Sequence, residues 1–463
     1  LWSRGLGDVY KRQIQANAAS VTPIEPVFLD FSKDMQQFTA KSNIPVLYKE
    51  NTTNDVFSML YVFEMGTGND KALGTACDYL SYLGTSKKSL QEINMEFYKL
   101  ACNYSVFPGT DRTYVTISGL SENMAAAVQL FEELLADAQV NKDAYVNLAN
   151  DIMKERADSK LNQGANFNHL LQYAIWGSDS PTTHILSSGE LQQMDPQALV
   201  DCIHNLCKYE HKILYYGPMK QNELLDVISQ YHQVPETLLP VPEGANFKMQ
   251  ETNESKVYFA QYDAKQIYFS AVSNRGEKFD SAIQPELVMY NEYFGGGMNS
   301  IVFQEMREAR ALAYTAAATM VCPSKLKYPY YYRTFIATQN DKMLDAMKAF
   351  DEIVNNMPES ERAFELAKEA LITRLRTDRV TKSNVLWAYL DAQDLGMSID
   401  SRKALFEQVQ NFTLEDIKAF QEKWVKGRKY VYIVLGDEKD LDMKGLSQYG
   451  PIQKLSQTDI FGY

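Results

Sequence analysis

Long apolar runs are missing from this chain of 463 residues. No run of about 18 consecutive apolar residues occurs, and a membrane-spanning helix needs about 20. An excess of basic residues is missing as well, because 59 aspartates and glutamates outnumber 46 lysines and arginines and leave a net charge of −13. Nucleic acid phosphates would be repelled by such a chain. The composition therefore argues against a membrane-spanning protein and against a nucleic-acid-binding protein.

Cysteine is scarce and widely spaced, and no C-x-x-C motif occurs. An odd number of cysteines fits no complete disulfide framework. We therefore interpret the five residues as small apolar packing groups. They are Cys77, Cys102, Cys202, Cys207 and Cys322.

The first residues, LWSRGLGDVYKRQ, lack an initial methionine and the apolar centre that a secretory signal requires. Residues 1–13 resemble a translated sequencing adapter, so we exclude them from the fold prediction and interpret residues 1–25 as an artefactual start and a linker. We expect the chain to be the C-terminal part of a longer protein, with any targeting signal on the part that precedes it.

An internal repeat is the clearest organisational signal. The helical segments MAAAVQLF at 124–131 and MLDAMKAF at 343–350 share one offset with the apolar segments LYYG at 214–217 and IVLG at 433–436. Each copy has the pattern strand, strand, helix, helix, strand, strand, several helices, strand and a closing helix. The fold class predicted is α+β, because the strands do not alternate regularly with helices. The domains predicted are 26–233 and 255–463, joined by a proline-containing linker at 234–254.

Residues 293–314, YFGGGMNSIVFQEMREARALAY, carry the most informative motif. A helix runs into three glycines, a second helix ends near Arg307, and a strand begins near Tyr314. We expect this arrangement to bring one guanidinium and one phenol to a common point. The glycines predict a tight passage with positive φ rather than a phosphate-binding loop, because neither G-x-G-x-x-G nor G-K-[ST] is present.

The repeat, the glycine break and the Arg307–Tyr314 spacing together resemble the pitrilysin (insulinase) family of zinc metallopeptidases. The resemblance covers residues 26–463 and implies two homologous α/β-sandwich domains of the mitochondrial-processing-peptidase type. It further implies an enzyme of two halves that close around a chamber. Zinc is carried by an H-x-x-E-H helix in the N-terminal half, and the Arg–Tyr pair belongs to the C-terminal half.

None of the five histidines stands in H-x-x-E-H or H-E-x-x-H. At the positions that correspond to the motif, the first copy has Thr75, Asp78 and Tyr79, and the second copy has Glu286, Met289 and Tyr290. Threonine and tyrosine are not replacements for neutral imidazole ligands. The resemblance therefore assigns the chain to the half without metal. Zinc is expected in an N-terminal partner half, in the same polypeptide or in a separate subunit.

The resemblance also assigns roles to the pair. Arg307 would donate charge-assisted hydrogen bonds to peptide carbonyl groups, and Tyr314 would donate one toward the developing oxyanion. Two alternatives stay open: a non-catalytic structural core subunit of the same fold, and a stand-alone peptide-binding clamp. The compartment stays open between the bacterial periplasm and the cytoplasm.

Overall fold

The computed structural model describes the backbone of residues 2–463 and the side chains of residues 9–18 and 21–463. Residue 1 and the side chains of residues 2–8, which fall in the excluded segment 1–13, lie outside this description. The first half of the chain contains a six-stranded sheet. Its strands are β1 (Gln36–Thr39), β2 (Pro45–Glu50), β3 (Val56–Phe63), β4 (Cys102–Pro108), β5 (Thr113–Leu120) and β6 (His211–Gly217). Its helices are α1 (Trp2–Ser20), α2 (Phe31–Asp34), α3 (Ala72–Leu80), α4 (Leu90–Lys99), α5 (Met124–Asp137), α6 (Lys142–Ser159), α7 (Gln163–Trp176), α8 (Ser188–Gln193), α9 (Pro196–Asn205) and α10 (Gln221–Tyr231).

The second half contains another six-stranded sheet. Its strands are β7 (Lys256–Gln261), β8 (Gln266–Ser273), β9 (Thr315–Val321), β10 (Tyr331–Gln339), β11 (Val431–Gly436) and β12 (Ile452–Leu455). Its helices are α11 (Gln284–Phe294), α12 (Ile301–Phe303), α13 (Met343–Asn355), α14 (Glu361–Thr377), α15 (Asn384–Asp394), α16 (Arg402–Val409), α17 (Leu414–Phe420), α18 (Met443–Leu446) and α19 (Gln457–Phe461). Among the described helices, none combines the length and the apolar composition needed to cross a bilayer.

The two sheets repeat one topology. The first has the order β1-β2-β6-β3-β5-β4 and the second has β12-β7-β11-β8-β10-β9. The five-stranded part β2-β6-β3-β5-β4 corresponds to β7-β11-β8-β10-β9, with one parallel pair followed by three antiparallel pairs in each. Only the sixth strand differs, because β1 is antiparallel to β2 and β12 is parallel to β7. The predicted α+β tandem repeat is confirmed.

The segments that revealed the repeat in the sequence begin or end equivalent elements. Met124 begins α5 and Met343 begins α13, and both methionines are buried. Gly217 ends β6 and Gly436 ends β11, the two central strands. The shared offset therefore reflects the register of one structural unit built twice.

Each sheet is apolar on both faces, and the second face is covered by a helix from the other repeat. On the first sheet, Leu60 and Leu214 pack against Leu386 and Leu390 of α15. On the second sheet, the strands β7, β8 and β11 pack against α7, whose buried residues are Phe167, Leu170, Leu171, Ala174 and Ile175. Helix exchange of this kind joins the repeats into one packed unit.

The segment between the repeats is anchored although it forms neither helix nor strand. Ala245 donates a backbone hydrogen bond to Gly68, and Gln250 donates one to Ile175. Phe247 is buried beside Trp176. The sheets fall within the predicted ranges 26–233 and 255–463, and each range contributes one helix to the core of the other.

Shortening a buried side chain of α15 tests whether this helix stabilises the first sheet. We expect Leu390→Ala, in the cluster beneath the first sheet, to lower the free energy of unfolding by about 2–5 kcal/mol, as is usual for a buried leucine. Leu366→Ala on the exposed side of α14 is the control and should change the free energy by less than about 0.5 kcal/mol. Urea unfolding followed by far-UV circular dichroism measures both. Equal effects would show that α15 does not stabilise the first sheet.

A buried polar chain crosses the core of the first repeat. Nε2 of His211 lies 2.8 Å from Nε2 of His232, whose Nδ1 meets the Glu132 carboxylate. Nδ1 of His211 lies 2.6 Å from the Tyr209 carbonyl oxygen and must donate to it, so the Nε2 atom of a neutral His211 accepts from His232. With Nε2 of His232 donating, the remaining proton lies between His232 and Glu132. Tyr61 donates to the same carboxylate over 2.7 Å.

Acid should weaken this core. Burial, followed by repulsion from His232, lowers the pKa of His211 to about 4. The unfolded chain binds the proton near pH 6.5, so this residue's contribution to stability is complete above pH 6.5 and is lost as the pH falls toward 4. We expect the free energy of unfolding to fall by about 2 kcal/mol when the pH is lowered from 7 to 5. Urea unfolding at both pH values measures it. His211→Gln should reduce the difference and His184→Gln, the control, should not.

Candidate functional site

The site is built at the end of α11, where the helix meets the edge strand β9. A Cβ atom on Gly295 would lie 1.6 Å from the carbonyl oxygen of Ala318, so no side chain fits between the helix end and the strand. Gly297 has a φ of +66°. The predicted positive φ is therefore found at Gly297, and Gly295 serves a different purpose, which is the close approach of two backbones.

A second helix starts at Ser300, whose hydroxyl accepts from the Phe303 amide. After one α-helical turn the chain widens into a π-helix, Gln304–Ala309, with Arg310 donating to the Glu305 carbonyl. The wider turn changes the direction of the side chains that follow Met306, which is fully buried. Such single-turn widenings occur often at functional sites.

The backbone then folds back onto the π-helix. The Met306 carbonyl accepts from Leu312 over 2.9 Å and from Ala313 over 3.3 Å. Arg307 follows Met306 and Tyr314 follows Ala313, so these two hydrogen bonds bring the backbone segments that carry Arg307 and Tyr314 close together. A common point for the two side chains stays a prediction.

Two residues hold this loop, one within β10 and one just beyond it. Thr338 donates to the Leu312 carbonyl, and Lys342 donates to the Ala311 carbonyl over 3.2 Å. Ala311 has a φ of +50°, a left-handed conformation that costs a residue with a Cβ about 1–2 kcal/mol. The loop is therefore held in a defined and slightly strained shape.

Both side chains of the pair point to solvent. The Arg307 side chain is 51% exposed, with its guanidinium 5.0 Å from the centre of the Phe303 ring and 3.9 Å from the Glu308 carboxylate. Tyr314 is 52% exposed, and its hydroxyl accepts from Nε2 of Gln339 over 3.0 Å. Neither residue fills a core, so both are available to a ligand.

Gln339 and Lys342 belong to the site and were missed by the sequence prediction. They follow Tyr314 by more than twenty residues and have no motif spacing to it. Their only signal is position, since they lie at the end of the strand β10 that pairs with β9. Strand pairing was predictable in kind, but the register that places Gln339 beside Tyr314 was not.

The positions that correspond to a zinc motif do not fit zinc. Tyr79 is fully buried, and its hydroxyl donates to the Asn141 carbonyl over 2.6 Å while it accepts from the Asn141 amide. Thr75 is half-buried, and Asp78 lies at an exposed position on the same helix. Across the described residues, no three His, Cys, Asp or Glu side chains are grouped so that they could hold a metal. Hydroxyl groups already used by the backbone cannot replace imidazole.

The second copy is equally unsuited at these positions. Met289 and Tyr290 are fully buried, and the Tyr290 hydroxyl lies 2.9 Å from that of Tyr332. Glu286 stands alone in the first turn of α11.

Solved structures resemble this chain along most of its length. The peptidase M16 inactive domain from Pseudomonas fluorescens is 17% identical and has a TM-score of 0.66, with 87% of this chain and 98% of that chain covered. A putative M16-like peptidase from Alicyclobacillus acidocaldarius is 12% identical with a TM-score of 0.63, and 89% of this chain and 100% of that chain are covered. This chain has the M16 peptidase fold. No family model and no curated protein sequence matches it.

The M16 fold confirms, at the level of architecture, the resemblance to pitrilysin-type peptidases. The periplasmic protease PqqL from Escherichia coli is also similar, at 10% identity and a TM-score of 0.69 over 90% of this chain. This chain spans 48% of the length of PqqL. The chain thus matches nearly the whole of the Pseudomonas fluorescens domain and about half of the PqqL chain.

Gly295 provides a test of how the site is built. We expect Gly295→Ala to lower the free energy of unfolding by about 3 kcal/mol or more, because the strand β9 must move away from α11. Gly296→Ala is the control, since its Cβ would meet nothing closer than 3.3 Å, and should cost less than about 1 kcal/mol. Thermal and urea unfolding report both values. A tolerated alanine at 295 would contradict the close approach.

Proposed function

We propose that this chain is the substrate-binding half of a zinc-dependent endopeptidase or oligopeptidase and that the zinc is bound by a separate N-terminal half. The observation that supports the proposal is that Arg307 and Tyr314 are both exposed, on backbone segments that the Met306 carbonyl holds close together. The loop before Tyr314 contains a strained residue, Ala311, and neither Arg307 nor Tyr314 packs in a core. Exposed residues on a loop that a rigid scaffold holds in place are typical of ligand-binding sites.

Arg307 is suited to grip a peptide carbonyl. Its contact with Glu308 is long and exposed, and such pairs contribute little to stability. The guanidinium carbon lies 5.0 Å from the centre of the Phe303 ring, and the half-exposed side chain keeps its N–H groups accessible to a ligand. A substrate carbonyl or carboxylate would receive charge-assisted hydrogen bonds from these groups.

Tyr314 is suited to donate a single hydrogen bond. Gln339 donates to the phenol oxygen, so the phenol's own proton is directed elsewhere and can be donated to a substrate oxygen. Thr338 of β10 and Lys342 bind the loop that leads into Tyr314 and so hold the ring in place. Donors that are oriented before the substrate arrives stabilise a developing oxyanion at no further cost of reorganisation.

The donor chemistry of the rest of the chain supports a division of labour. Tyr79 and Thr75 offer hydroxyls where a zinc peptidase would need imidazoles, and Tyr79 is already satisfied by Asn141. Metal-activated water would therefore come from a partner that carries H-x-x-E-H. The chain's own residues would hold the peptide while it is cleaved.

Substitution of the pair tests the proposal. With a partner half and zinc, we expect Arg307→Ala and Tyr314→Phe each to lower kcat/KM for an internally quenched peptide about 100-fold, the usual cost of losing one such donor. The melting temperature should change little, because both side chains are half exposed. A peptide-cleavage assay measures kcat/KM, and thermal unfolding measures the melting temperature.

Arg310→Ala is the matched control, since Arg310 is a neighbouring arginine that pairs with Glu305 and Glu352. It should change kcat/KM less than about threefold. Hydrolysis by this chain alone that survives removal of metal would refute the proposal. Intact activity with a large loss of stability in both variants would favour a structural core subunit. Tight binding of the quenched peptide to this chain without a partner half, lost in Arg307→Ala and in Tyr314→Phe, would favour a stand-alone clamp.

A further inference from the structure

The first sheet ends in a strand whose outer edge is open. β4 pairs with β5, from Cys102 opposite Gly119 to Pro108 opposite Thr113. Within the described part of the chain, no strand pairs with the other side of β4. Alternate backbone N–H and C=O groups on that side are therefore offered to a further strand.

A cavity of about 550 Å³ follows this edge. Five consecutive residues of β4, from Cys102 to Val106, line it, together with residues of α3 and α4. At about 3.3 Å per residue this corresponds to a length of about 13 Å. The cavity thus has the length of a four- or five-residue extended segment and lies where such a segment would pair with β4.

The walls of the cavity would receive alternate side chains of an added strand. Tyr104 and Val106 pack toward the core, so the inward positions of a neighbouring strand would face the same side, toward α3 and α4. Phe97 lies there, 5.2 Å from Tyr104 between ring centres. Tyr98 is 82% exposed at the rim. Aromatic surface of this kind favours apolar and β-branched side chains.

The cavity also carries an unbalanced negative charge. Asp78 lines it, and among the described residues no lysine, arginine or histidine forms an ion pair with this carboxylate. Partial burial, and then the nearby charge of Glu155, raise the pKa of Asp78. A cation at this point would relieve both effects.

We propose that the cavity along β4 binds an extended peptide segment of another protein, added as a seventh strand, with a lysine or arginine side chain directed to Asp78. The backbone of the segment pairs with β4, its apolar side chains contact Phe97 and Tyr98, and its cation meets the carboxylate. Strand addition of this kind obtains affinity from the backbone and specificity from alternate side chains.

This site is separate from the Arg307–Tyr314 pair and does not depend on the proposed function. It occupies the equivalent place in the first repeat, because β4 corresponds to β9 and α3 to α11 in the topology.

Fluorescence anisotropy of a labelled probe peptide, Thr-Val-Thr-Lys-Thr-Val-Thr, tests the proposal with the full chain. We expect saturable binding that weakens about tenfold when the lysine of the probe is replaced by glutamate. Two further probes carry N-methyl groups at the odd or at the even positions. Only one set of amides can face β4, so one methylated probe should lose binding and the other should retain it.

Protein variants complete the test. Asp78→Asn and Tyr98→Ala should each weaken binding of the lysine probe about fivefold or more. Asp226→Asn, which alters an exposed carboxylate on α10, is the control and should not change the affinity. Absence of binding, equal binding of both methylated probes, or an unchanged affinity of Asp78→Asn would overturn the proposal. So would a dimer in sedimentation that Tyr98→Ala dissociates, because a second copy would then occupy the edge.

Discussion

The structure depends on one constraint: two sheets that are apolar on both faces must each be covered twice. Within its own repeat, each sheet is covered on one face by helices such as α5 or α13. The other face would expose a continuous apolar surface if the repeats separated, with Leu60 and Leu214 on the first sheet and Ile433 and Leu435 on the second. Exchange of α15 and α7 removes both surfaces from water at once. The relation between the repeats is therefore part of folding rather than a later docking of finished domains.

Charged contacts follow this packing and do not create it. Arg112 lies between β4 and β5 in the first repeat. Its guanidinium donates two hydrogen bonds of 2.8 and 2.7 Å to Asp394 of α15, and it also binds Glu64. Asp111 faces Lys325 of the second repeat over 3.3 Å. A partly buried bidentate pair orients its partners more than it stabilises them. These contacts set the orientation of α15 on a sheet that its leucines already cover.

The sequence predicted the repeated unit well because repetition and periodicity are local properties. Segments 124–131 and 214–217 share one offset to their second copies, and this predicted two equal units. The predicted order of strands and helices was confirmed except for β1 and β12, the sixth strands of the two sheets. The exchange of α7 and α15 was not predicted, because an amphipathic pattern predicts that a helix face is buried but does not identify the sheet against which it packs. The chain of Glu132, His232 and His211 was missed for the same reason, since one hundred residues separate Glu132 from His232. Contacts over such distances carry no periodic signal.

The candidate site shows the same division between local and distant information. Arg307, Tyr314 and the glycine break stand within one short segment, so the sequence alone could single them out as one candidate site. The π-helix, the purpose of Gly295 and the role of Gln339 depend on β9 and β10, and were not. Both repeats place a helix end, a second helix and an edge strand at this corner. Some side chains there, such as Phe97 and Met306, are buried in the core, and others, such as Asp78 and Arg307, are exposed. Architecture at this corner is therefore set by packing, and function is set by the few side chains that packing leaves exposed.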